Sequence, residues 1–158
     1  MTYEEVHKKL QELEERKEID EAMELVAKYN KPAMDLFEES LSKYTDRTIR
    51  RHMANVDLFL NDYNTYYEFK IWEDAWIEAS SFLGDFFIHK CMWSTPENIK
   101  TTATSIKKFY KCMVNHGLFP LEKYQEMCRV IKACMPRWQE DCARFNNFDE
   151  DYDEFDYF

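Results

Sequence analysis

Two glycines and four prolines in 158 residues leave this chain few of the residues that reverse a backbone tightly. A fold of many short strands needs such residues at every turn, whereas long helices need only an occasional break. The shortage predicts an all-α fold. With 45% hydrophobic and 16% aromatic residues, the chain can bury one sizeable core, which favours a single domain with an added arm.

No stretch reaches the roughly 18 unbroken apolar residues needed to cross a bilayer. Met1 is followed by TYEEVHKKLQELEERKEIDE instead of an apolar signal core. The expectation is a soluble, cytoplasmic protein without a membrane partner. The five cysteines (Cys91, Cys112, Cys128, Cys134, Cys142) are odd in number and include no CxxC pair. That pattern suits neither a secreted disulfide framework nor a common zinc spacing, so they read as reduced, mostly buried thiols, with no metal or other cofactor expected.

Charge is unevenly spread around the net value of −10. Residues 1–40 carry 6 basic and 12 acidic side chains, residues 41–139 carry 14 and 11, and residues 140–158 carry 1 and 8. Within the middle block, Lys100, Lys107, Lys108, Lys111, Lys123, Arg129, Lys132 and Arg137 face only Glu122 and Glu126. A basic patch is bracketed by acidic ends.

Periodicity supplies the helices. Thr2-Tyr3-Glu4-Glu5 fits a capping box opening a helix to about Glu18, with a narrow stripe of Val6, Leu10 and Leu13. Ile19 to Tyr29 and Pro32 to Tyr44 read as two further helices, separated at Lys31-Pro32. From Thr45 to Tyr67 the apolar positions Ile49, Met53, Val56, Leu60, Tyr63 and Tyr67 predict one core helix, with Arg47, Arg50 and Arg51 on its other side. Trp72 to Met92 is apolar almost all round and reads as a central helix, with Gly84 allowing close packing. Ser94-Thr95-Pro96-Glu97 supplies a hydroxyl cap, a proline at the first helical position and an acid at the positive end of the dipole, and Gly117 stops that helix. Pro120 opens a last helix, broken or kinked at Pro136 and resuming from Trp138 to Phe145. The closing NNFDEDYDEFDYF combines acids with aromatic residues, a composition that reads as a partly disordered acidic tail able to dock on a complementary surface.

At 100° per residue, Lys100, Thr104, Lys107 and Lys111 form a stripe with Lys108 at its edge and Thr101 beside it. Such a face suits phosphate contacts that position a helix against a duplex, with Arg50 and Arg51 as a second anchor. The same residues also fit the solvated face that any amphipathic helix presents.

Thr48, His52, Val56 and Phe59-Leu60, followed by Ser94 through Ile99, Ala103, Ile106 and Phe109-Tyr110, occur in an order that resembles the core-binding, SAM-like helical domain of tyrosine recombinases and phage integrases. The resemblance covers roughly half the chain. It implies a SAM-like helical bundle over 45–145, which leaves the helices of 1–44 as an N-terminal extension and 146–158 as an acidic tail. It also implies double-stranded DNA as partner, met by Arg47, Arg50, Arg51, Lys100, Thr101, Thr104, Lys107 and Lys108, to which the charge stripe adds Lys111.

The departures from that family point away from catalysis. The residues beyond Arg137 are too few for a catalytic domain, and none of His7, His52, His89 or His116 has an arginine three positions on. Tyr152 and Tyr157 sit among carboxylates that would repel a phosphate. There is no Gly-rich phosphate loop, GxSxG or HExxH, and no ExxH pair on a core helix. The expectation is a non-catalytic module, DNA-associated through the basic face. The alternative is a regulatory module that grips a protein partner through its tail or N-terminal helices. Mimicry of DNA by the acidic surface is disfavoured, because 15 of the 31 acids fall before residue 30 or after residue 148.

Overall fold

The computed structural model describes residues 1–91 and 94–156, with side chains described through Asn147. Helix α1 (Tyr3–Glu15) starts at the expected capping box: the Glu5 amide donates to Thr2 Oγ1 at 3.2 Å, and the Thr2 amide donates to the Glu5 carboxylate at 3.0 Å. It buries Val6, Leu10 and Leu13 against α2 (Ile19–Ser40). The turn between them closes at Lys17, whose φ of 57° lies in the left-handed region. There the Lys17 amide donates to Glu14 O and the Glu18 amide to Leu13 O, an arrangement that ordinarily carries glycine.

Helix α2 corrects the expected break. It runs unbroken through Pro32, and it stops at Ser40 instead of Tyr44. The proline forfeits one backbone hydrogen bond, about 3 kcal/mol in a helix interior. Against that loss, Ala22, Val26, Asn30, Ala33, Met34 and Phe37 keep a continuous buried stripe on both sides of it, and that stripe exists only if the helix continues.

The expected helix from Thr45 to Tyr67 is also corrected. Thr45 caps α3 (Asp46–Asp57) by accepting from the Thr48 amide at 3.3 Å, but beyond Asp57 the coil widens into a π-turn (Leu58–Asp62) and then tightens into a 3-10 turn (Tyr63–Thr65). Polar side chains intrude on the ladder at that point. Asn64 Nδ2 donates to Phe59 O, and Thr65 Oγ1 to Asn61 O, each at 2.7 Å. Tyr67, expected in the core, is 66% exposed.

The predicted central helix is a succession of short turns: α4 (Trp72–Ala75), a 3-10 turn (Trp76–Glu78), α5 (Ala79–Ser81), a π-turn (Phe82–Phe86) and α6 (Phe87–Lys90). Met92 lies outside the described residues. Trp72, Phe82, Leu83, Phe87 and Ile88 are buried, while Ile77 is 62% exposed, so the apolar character is not spent evenly around the segment.

Helix α7 (Pro96–Asn115) has the expected ends. Thr95 accepts from the Asn98 amide, Pro96 sits at the first turn, and Gly117 (φ 71°) allows the Leu118 and Gly117 amides to reach Met113 O and Val114 O. Helix α8 (Leu121–Asp156) continues through the exposed Pro136 without the expected break, because Met127, Ile131, Trp138 and Cys142 remain on one buried face across it. Gln139 Nε2 donates to Pro96 O and Asn146 Nδ2 to Ser94 O, so the later part of α8 is fixed to the start of α7. The expected partly disordered acidic tail covers 146–158, where the side chains from Phe148 onward and the last two residues lie outside the described residues.

Among the described residues the fold is all-α, without strands, and no helix is long and apolar enough to cross a membrane. The main core gathers Phe37, Phe59, Phe82, Phe87, Phe109 and Tyr110, while a smaller cluster joins Val6, Leu10, Leu13, Ala22, Val26 and Ile71. Helix α2 contributes to both.

Two substitutions test this packing. A methyl group on Gly84 would overlap the buried Trp138 indole, so Gly84→Ala is expected to lower stability by about 1–3 kcal/mol in urea denaturation. Lys17→Gly relieves a left-handed conformation costing about 1–2 kcal/mol for an L-residue. Part of that gain is offset by the freer unfolded chain, so a rise in stability of up to about 1 kcal/mol is expected.

Candidate nucleic-acid interface

Helix α7 buries Ile99, Ala103, Ile106, Phe109, Tyr110 and Met113, and so turns its lysines outward. Lys100 and Lys111 are exposed, and Lys107 and Lys108 are half-buried at the margins of the packing. Their surroundings are two hollows that share the ridge of Thr104 and Lys107. One, of about 450 Å³, lies between α7, the end of α2 with the turn into α3, and the start of α8, and includes Lys108, Lys111, Tyr44 and Tyr124. The other, of about 330 Å³, lies between α7 and α8 and includes Lys100, Lys132 and Gln139. No Asp or Glu lines either hollow among the described residues.

Among the described residues the lysines are held without carboxylate partners. Lys108 Nζ donates to the Tyr44 hydroxyl at 2.9 Å and stands 5.1 Å from the centroid of that ring. Lys111 Nζ stands 5.4 Å from the centroid of Tyr124. Among the described residues, none of Lys100, Lys107, Lys108, Lys111, Lys132, Arg47, Arg50 or Arg51 forms an ion pair. Other cations of the chain do pair, as Lys31 does with Asp35 and Lys70 with Glu78.

Arg47, Arg50 and Arg51 are exposed on α3, which packs along α7. Arg47 and Arg51 are one turn apart on one face, with Arg50 about 100° round the helix from Arg51. Between the two helices lies His52, buried, with Nδ1 2.7 Å from Ser105 Oγ. Its pKa is lowered from the ordinary value chiefly by burial, and next by the charges of Lys108 and Arg51. The α3 and α7 cations thus act on a common site. Thr101 and Thr104 direct their hydroxyl protons to Glu97 O and Lys100 O at 3.1 and 3.0 Å, so in this arrangement they offer a phosphate no donor.

The sequence reading missed Tyr44, Tyr124 and Lys132 as neighbours of the stripe. Lys132 stood within the basic block, but only the packing of α8 on α7 brings it alongside Lys100. Tyr44 precedes the Thr45 cap and carries no signal of its own.

The Ser105–His52 contact has the residue types of a nucleophile and base, but its geometry is that of a tie between helices. Both side chains are buried, Asn55 Nδ2 donates to Ser105 Oγ at 3.0 Å, and the serine proton is directed to Thr101 O at 3.2 Å. Burial pushes the thiols of Cys91, Cys112 and Cys142 up, which keeps them protonated. No group of three or more His, Cys, Asp or Glu side chains with metal-binding geometry occurs among the described residues.

The depressed pKa of His52 ties stability to pH. The unfolded chain takes up this proton near pH 6.5 while the folded chain resists it. Stability is therefore full above about 6.5 and declines as pH falls from there towards the lower folded value. Urea midpoints measured from pH 7.5 to 5 should fall, with a shallower slope in His52→Asn, which keeps a polar partner for Ser105 without an ionisable ring.

No protein-family model matches the chain, and no curated protein sequence or solved structure matches it either.

Proposed function

We propose that this protein is a non-catalytic helical module that binds nucleic acid through phosphate contacts on the α3/α7/α8 face. The observation that carries the proposal is the set of lysines around two hollows that, among the described residues, have neither carboxylate partners nor an acidic lining. Cations elsewhere among the described residues are mixed in this respect: Lys31, Lys70, Arg129, Arg137 and Arg144 pair with acids, while others such as Lys8 and Lys28 do not. What marks this face is that, among the described residues, several lysines border hollows that no carboxylate lines, which suits the diffuse negative charge of a phosphate backbone. The resemblance of residues 45–119 to recombinase core-binding domains supports the same face. The net charge of −10 opposes long-range attraction, so binding depends on short-range contacts at the patch.

A second reading has its own observation. An apolar groove of about 730 Å³ runs between the N-terminal end of α1, α2 and Trp72, lined by Met1, Tyr3, Leu25, Tyr29 and Leu36. Met1 is 71% exposed. In this reading the N-terminal helices receive a protein segment and the basic face is only solvated.

Fluorescence anisotropy with labelled DNA at about 50 and 200 mM salt separates the two. Binding that weakens steeply over this range and disappears in Lys107→Glu plus Lys111→Glu supports the phosphate reading. Lys8→Glu plus Lys9→Glu, on the exposed side of α1, should leave it unchanged. Absence of binding by the full chain sinks the nucleic-acid assignment and leaves the groove.

A further inference from the structure

The larger hollow contains more than phosphate contacts require. Tyr44 comes from the turn before α3 and Tyr124 from α8, and the two rings share a hollow whose apolar part includes Phe37 and Leu41. Tyr44 is 44% exposed and Tyr124 is half-buried, so both rings keep solvent-facing surface. The volume of about 450 Å³ is that of a site for one small ligand, which commonly occupies about 300–1,000 Å³. A duplex meets a protein with phosphates and base edges; its base faces are occupied in the stack and offer a phenol ring nothing to lie against. An unpaired base exposes its face.

We propose that this hollow binds an unpaired nucleotide of a single-stranded nucleic acid, its base on Tyr44 or Tyr124 and its flanking phosphates on Lys107, Lys108 and Lys111. The proposal rests on the phosphate-binding reading and narrows its ligand. Lys108 presently uses the Tyr44 hydroxyl as its partner, which leaves the Tyr44 face open, and Lys111 stands near the Tyr124 ring. A phosphate is a stronger, charge-assisted partner for an ammonium, and a lysine that moves to it leaves the ring to the base. The strand can continue over the ridge of Thr104 and Lys107 to the second hollow, where Lys100 and Lys132 meet the next phosphates. Strand polarity and base identity play little part in such a site, because every base has a face to stack.

The test compares labelled oligothymidylate, which forms no duplex, with a duplex of equal length by anisotropy on the full chain. The strand should bind more tightly. Tyr44→Leu and Tyr124→Leu should each weaken strand binding about tenfold and leave duplex binding unchanged, while Tyr44→Phe and Tyr124→Phe, which keep the ring, should retain it. Should a leucine variant fail to fold by circular dichroism, Tyr44→Trp replaces it, and the larger ring should tighten strand binding. Leucine variants with undiminished strand affinity, or a duplex bound as tightly as the strand, would overturn the base site while leaving the phosphate reading intact. Unchanged strand binding in Lys107→Glu plus Lys111→Glu would overturn both.

Discussion

The backbone of Trp72 is held at both of its polar groups by buried side chains from two long helices. Its amide donates to Asn30 Oδ1 of α2 at 2.9 Å, and its carbonyl accepts from the Tyr110 hydroxyl of α7 at 2.6 Å. Burying these groups unpaired would cost about 1–3 kcal/mol each, so the pairing fixes where the segment from Ile71 enters the core. Asn30 also donates to Asn61 Oδ1 and thereby ties the π-turn after α3 to the same point. Around this junction the Trp72 ring meets Phe109 edge-on at 5.9 Å and Phe119 at 6.2 Å. The irregular turns from Trp72 to Lys90 follow from the constraint: a segment pinned at its start, with apolar side chains to place against several helices, has no single helical face that serves all of them.

What the sequence made legible were local signals with local causes. Thr2, Ser94-Thr95-Pro96 and Gly117 announced helix ends because capping depends on residues a few positions apart, and the caps at Thr2, Thr95 and Gly117 agree with them. Pro32 and Pro136 were read as interruptions because the cost of a proline is local, while the compensation is tertiary. The stripes that continue past them gain their value only from partners far away in sequence. The relaxed coil after Asp57 was hidden for a similar reason, since Asn64 and Thr65 resemble ordinary helix-surface residues until their side chains find Phe59 O and Asn61 O.

The candidate site was legible as a list of cations on one helix and illegible as a shape. Periodicity grouped Lys100, Lys107 and Lys111, but the hollows exist because α2 ends at Ser40, ahead of Tyr44, and because α8 lies along α7. Neither fact is encoded near the lysines. The consequence for electrostatics is felt at His52, where buried polar contacts and nearby positive charge act on one ring.

Helix α2 serves two clusters of unequal size, and that inequality sets how the molecule comes apart. Val6, Leu10 and Leu13 of α1 cover Ala22 and Val26 but share none of the ring contacts that join α2, α7 and the central turns. Helix α1 meets the rest of the fold through α2 and through Ile71 and Asp74, where Tyr3 and His7 bond, and its opening is expected to expose the first turns of α2 ahead of the Phe37 end. Native-state fluctuations will be graded along α2, from frequent opening at Ile19 to openings near Phe37 that require the whole fold to melt. A single uninterrupted helix thus reports two different stabilities.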